Sequence, residues 1–169
     1  MEYINELCRI IAGINEKKIE EMAESILESD TIYVIGNGGS MATAQHFSQD
    51  LLKCCGLRAI ALTNISEITA FANDLEYRKC FSSLETLCRD KDCIFCITTS
   101  GESENLIYIL ERFFDSGTKI LSLVGRDNST IERLSDISIV LSTDKIRQAE
   151  DCHHAICHAI VETIERTKR

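Results

Sequence analysis

The chain has 169 residues, 44% hydrophobic and 27% charged, the balance of one soluble globular domain large enough to bury its own core. Its net charge is −9 and its Lys and Arg are scattered, which argues against the basic stripe of a nucleic-acid-binding protein. The longest apolar runs, 32–35 and 93–97, are too short to span a bilayer, and residues 1–6 lack the basic start and apolar stretch of a signal peptide, so a cytoplasmic protein is expected.

Residues 1–28 form a helical N-terminal region. Ile4, Leu7, Cys8, Ile11, Ile14, Ile19, Met22, Ala23, Ile26 and Leu27 recur at helical spacing, with a break near 13–16. A β-branched run at 31–35 ends at Gly36 and reads as a buried strand. Helical character returns over 40–54, and 58–62 reads as a second strand. A short helix is expected at 66–72 and another at 77–88. Residues 92–97 form a third strand, 103–115 a helix ended by Gly117, and 119–124 a fourth strand. A short helix at 130–134, a fifth strand at 137–141 and a long helix at 149–167 complete the chain.

Strands alternating with helices imply βαβ units, hence an α/β fold: a parallel sheet of about five strands with helices on both faces. Proline, repeats and linkers are absent, so 1–169 is expected to be one domain. The nine cysteines are odd in number, and the Cys93/Cys96 pair lies within an apolar strand without a second pair at zinc spacing. A disulfide framework is therefore not expected, and the Cys93/Cys96 pair reads as buried thiols rather than a zinc site.

In such sheets ligands sit beyond the C-terminal strand ends. Two loops there have unusual composition. Gly36-Asn37-Gly38-Gly39-Ser40 joins the first strand to a helix, and its glycines let backbone approach a ligand closely. It lacks the third glycine of a dinucleotide fingerprint and the lysine of a P-loop. Thr98-Thr99-Ser100-Gly101-Glu102-Ser103 puts four hydroxyls at a helix start, where the dipole and free N–H groups suit a phosphate. Glu102 is the discordant residue, since its charge would repel a phosphate.

His46 and Asp50 are four residues apart and share a helix face. On the last helix Glu150 and His158 lie eight apart, roughly on one face, with His153 and His154 between them. Imidazoles and carboxylates can bind a metal or move protons near neutral pH.

The 36–40 turn followed by Ala44-Gln45-His46-Phe47 resembles the opening motif of the sugar isomerase (SIS) domain, in its phosphoheptose isomerase branch. Asn73-Asp74, the 98–103 loop with Asn105, and His153 and His158 follow in the family's order, so the resemblance covers about 2–166. It implies an enzyme converting sedoheptulose 7-phosphate into an aldoheptose 7-phosphate, working as a homotetramer with interface sites, often with zinc. It implies substrate contacts from Asn37, Gly38, Gly39, Ser40, Asp74, Thr98, Thr99, Ser100 and Ser103. Asp50, His158 and Glu150 would be catalytic, and His46, Asp50, Glu150 and His158 would hold the metal. Three positions depart from the family: Asp50 replaces a glutamate, Glu150 a glutamine, and Glu102 an asparagine. A non-catalytic SIS module that senses a sugar phosphate or scaffolds a partner is the alternative, separated by whether the four acid–base residues converge.

Overall fold

In the computed structural model, which describes residues 2–168, five strands form one fully parallel sheet. In chain order the elements are α1 (Glu2–Ala12), α2 (Glu16–Leu27), β1 (Ile32–Gly36), α3 (Gly39–Lys53), β2 (Ala59–Ala61), α4 (Ile65–Asp74), a 3-10 turn (Tyr77–Lys79), α5 (Leu84–Leu87), β3 (Cys93–Thr98), α6 (Glu104–Phe113), β4 (Lys119–Val124), α7 (Thr130–Arg133), β5 (Ile137–Val140) and α8 (Ile146–Thr167). The strand order is β2-β1-β3-β4-β5. Register runs from Ile32 beside Cys93 to Gly36 beside Ile97. The chain therefore steps outward in opposite directions from β1 and β3. That reversal opens a crevice at their C-terminal ends, where the 36–40 and 98–103 loops lie.

Side-chain alternation divides the interior in two. Val34, Phe95, Leu121 and Leu123 face a core completed by α2, α3 and α8 through Met22, Phe47, Leu51, Ile156 and Ile160. Ile35, Ile94, Cys96 and Ile120 face a second core with Phe81, Leu84, Leu106 and Leu110. Strands β1 and β3 are buried on both faces, which is why they read as continuous apolar runs. Cys93 and Cys96 are wholly buried within β3, and burial pushes both thiols well up, as expected of inert core sulfur.

Two expectations need correction. The 77–88 segment is not one helix: it is a 3-10 turn, four turn residues and the one-turn α5. The Ser82-Ser83 pair favours turn over helix. The bend also lets both Phe81 and Leu84 enter the second core. The last helix starts at Ile146, three residues earlier than periodicity indicates, because its N-cap Lys145 makes no side-chain cap bond to betray it. Among the described residues no helix is long and apolar enough to cross a membrane.

His153 is the one imidazole that turns inward. It is 0% exposed, and neither ring nitrogen has a well-aligned hydrogen-bond partner. Burial pushes its pKa down to about 4, opposed only weakly by the nearby Val124 carbonyl. The unfolded chain binds this proton more readily than the fold does. The stability it confers is thus complete above about pH 6.5 and is lost as pH falls toward 4. The whole effect is at most about 3 kcal/mol. In metal-stripped protein, His153→Leu should gain on the wild type by up to that amount between neutral pH and pH 4, read from urea unfolding. A difference that does not change with pH would contradict a buried neutral imidazole.

Candidate functional site

The glycine turn leaves β1 under tight constraint. A Cβ on Gly36 would lie 2.9 Å from the Ile97 carbonyl oxygen and 2.9 Å from the Ser40 carbonyl carbon, so only glycine fits. Gly38 follows at φ 54° and is the N-cap of α3, offering no side-chain acceptor to the first turn. The first turn of α3 thus has no side-chain cap; the Met41 N–H is taken by the Asn37 and Gly38 carbonyls, which leaves the turn's earlier N–H groups suited to an anion or a sugar oxygen. Ser40, within that turn, is buried.

The second loop is shaped by its own hydroxyls. Thr98 Oγ1 accepts from the Gly101 N–H at 3.1 Å, and Ser100 Oγ accepts from the Glu102 N–H at 3.2 Å. Ser103 is the N-cap of α6, yet its hydroxyl makes no cap bond. Glu102 does not act as the charge pattern suggests. Its carboxylate accepts from the Thr130 N–H at 2.7 Å and the Thr130 hydroxyl at 2.9 Å, capping α7.

The two loops are joined by a reciprocal amide pair. Asn37 Nδ2 donates to Asn105 Oδ1, and Asn105 Nδ2 donates to Asn37 Oδ1, both at 2.9 Å. Asn105 is buried and its amide also reaches Cys80 Sγ at 3.2 Å. The Tyr77 hydroxyl donates to Asn37 Oδ1 at 3.4 Å. Sequence reasoning missed Tyr77, because its segment reads as an ordinary helix. Asp74 is exposed at the end of α4, where it accepts from the Asn73 amide at 2.8 Å.

The acid–base residues lie along the seam where α3 meets α8. His46 Nε2 is 3.1 Å from Asp50 Oδ2 and 3.2 Å from His158 Nε2, and His158 Nε2 is 3.6 Å from the same carboxylate oxygen. His154 joins them: its ring centroid is 4.7 Å from those of both His46 and His158. One donor atom from each of the three imidazoles lies within 4.8 Å of the others. Burial, followed by the neighbouring His158 and His46 rings, holds the His154 pKa below the ordinary value. His154 thus carries an inconspicuous signal, the i, i+4 step to His158, which adjacency to His153 obscures. Glu150 lies further up the seam, with its carboxylate against Gly39, where a Cβ would come within 2.2 Å of Oε1.

The sequence pattern of the SIS domain family matches residues 2–125. A phosphoheptose isomerase of Helicobacter pylori (strain P12) is 35% identical over 158 residues, covering 89% of this chain and 82% of that protein. The structure of a phosphoheptose isomerase from Francisella tularensis superposes with a TM-score of 0.89 at 27% identity, covering 98% of this chain and 93% of that one. A phosphoheptose isomerase from Neisseria gonorrhoeae gives 0.87 at 28% identity, covering 96% and 93%.

The two glycines beside the seam should respond differently to a methyl group. Gly36→Ala meets backbone on two sides and should lose about 1–3 kcal/mol in urea unfolding. Gly39→Ala meets only the end of the flexible Glu150 side chain and should lose less than about 1 kcal/mol, since alanine also favours the helix. Equal losses would contradict the packing described.

Proposed function

We propose, since the chain belongs to the phosphoheptose isomerase family of SIS domain proteins, that it isomerises sedoheptulose 7-phosphate to an aldoheptose 7-phosphate. One observation carries the reading beyond family: His46, Asp50 and His158, from helices far apart in sequence, converge within 3.6 Å. A scaffold has no need of that convergence.

The phosphate is bound by the Thr98, Thr99, Ser100 and Ser103 hydroxyls and the start of α6. Glu102 no longer opposes this, being bound to α7. Asn37, held by Asn105, and Ser40 in the glycine turn hold the sugar, with Gly38 and Gly39 admitting it close to backbone. Asp74 meets the sugar hydroxyls.

The reaction moves one proton from C1 to C2 and another between the oxygens. A carboxylate takes the C1 proton of the ketose, giving an enediolate, and returns a proton to C2. Glu150, nearest the glycine turn, is placed for that task, while Asp50 orients the imidazoles. His158 serves the oxygen side, handing a proton to O2 or holding a charge that stabilises it. The donor chemistry of His46, Asp50 and His158 fits zinc, and these residues would hold it. Bound zinc would supply positive charge to the developing oxyanion.

The chain works as a single domain within a homotetramer, in the cytoplasm where sugar phosphates are retained. Exposed apolar side chains, Ile65 at 75% and Leu52 at 58% among them, support burial against other copies. Light scattering should give about four times the 19.0 kDa chain mass, and a monomer would contradict it.

Product formation from sedoheptulose 7-phosphate, followed by NMR, tests the activity. His158→Ala and Asp50→Asn should each abolish turnover, yet leave phosphate binding nearly intact, because they act on the proton transfer. Wild-type turnover by either variant would remove that residue from the mechanism.

A further inference from the structure

Four side chains meet across the α3–α8 seam, two from each helix. His46 and Asp50 are four residues apart on α3, and His154 and His158 are four apart on α8. That spacing lets one helix offer two donors to a single ion. The known distances suit this. Asp50 Oδ2 is 3.1 and 3.6 Å from the Nε2 atoms of His46 and His158, which are themselves 3.2 Å apart. Four donors about 2 Å from a common tetrahedral centre stand roughly 3.3 Å from one another. His154 needs only a small closure, because its donor atom is already within 4.8 Å of both other imidazoles.

We propose that this chain holds its metal with His46, Asp50, His154 and His158, and that Glu150 is not a ligand. The inference rests on the metal reading above and changes the donor set. Glu150, His154 and His158 form one i, i+4, i+8 stripe on α8, and His154 occupies the middle, beside His46. Glu150 is one turn, about 6 Å, further toward the helix start. There its carboxylate lies against Gly39, beside the sugar turn. With His154 filling the fourth donor position, the Glu150 carboxylate is left free of metal beside the sugar turn. Three imidazoles also favour zinc, copper, nickel or cobalt over magnesium, calcium or manganese.

The test is zinc chloride titrated into the full-length protein against a chromophoric chelator, with long-range nitrogen–proton NMR of the histidine rings. One equivalent of zinc should fix the three imidazoles of His46, His154 and His158 in the wild type, leaving the signal of buried His153 unchanged. His154→Ala should weaken zinc binding at least tenfold, whereas Glu150→Ala, which removes every side-chain donor at that position, should keep it within about twofold, since even residues that merely orient ligands cost 10–100-fold. Circular dichroism checks that each variant is folded, and the ring count in the wild type stands without any variant. Tenfold weakening in Glu150→Ala with His154→Ala unaffected, or two fixed rings in place of three, would overturn this donor set while leaving a metal site in place. Failure of the wild type to bind zinc would overturn both the inference and the metal reading.

Discussion

The parallel packing of α3 against α8 is the constraint on which the chemistry depends. Both helices leave the C-terminal end of a parallel strand and cover the same face of the sheet, so they run side by side in one direction. Gly39 meets Glu150 near their starts, and Asp50 meets His158 further along. A residue larger than glycine at position 39 would displace the Glu150 carboxylate from its place beside the turn. Phe47 and Leu51 on α3, and Ile156 and Ile160 on α8, anchor the inward faces in one core. What remains at the seam is a line of titratable groups held in register by apolar packing rather than by their mutual attraction. That matters, because three imidazoles and one carboxylate in near contact at a partly exposed site contribute little stability of their own.

The second organising element is the reversal of strand order between β1 and β3. It brings the glycine turn beside the hydroxyl loop, and the Asn37–Asn105 pair fixes their spacing with two short hydrogen bonds. Asn105 is buried, so losing either partner would strand an amide without water to replace it. The hydroxyl-rich loop and the glycine turn are thereby held side by side.

Much of this was legible in the sequence. Strands β1, β3 and β4 are buried on both faces and announce themselves as apolar runs, and the glycine-rich and hydroxyl-rich loops follow two of them directly. The i, i+4 relation of His46 and Asp50 was visible too, as was the family. The rest depended on tertiary placement. No local pattern shows that Glu102 turns to cap α7, because its partner Thr130 lies 28 residues away. Nor does any show which of the adjacent His153 and His154 faces the core: helical phase assigns them to different faces, but only packing says that 153 is the buried one. Tyr77 was hidden because a segment that reads as a helix folds as a turn, and the placement of the Glu150 carboxylate beside Gly39 follows only from how α3 packs on α8.

The central claim is that a carboxylate of this chain removes the C1 proton of a ketose phosphate and returns a proton at C2. Incubation with sedoheptulose 7-phosphate in deuterium oxide, followed by proton and carbon NMR, measures it directly. An aldoheptose 7-phosphate carrying deuterium at C2 is expected, together with deuterium at C1 of the recovered ketose. A sugar phosphate that binds at the crevice yet returns unchanged, with no deuterium at either carbon, would contradict it and leave the chain a binding module.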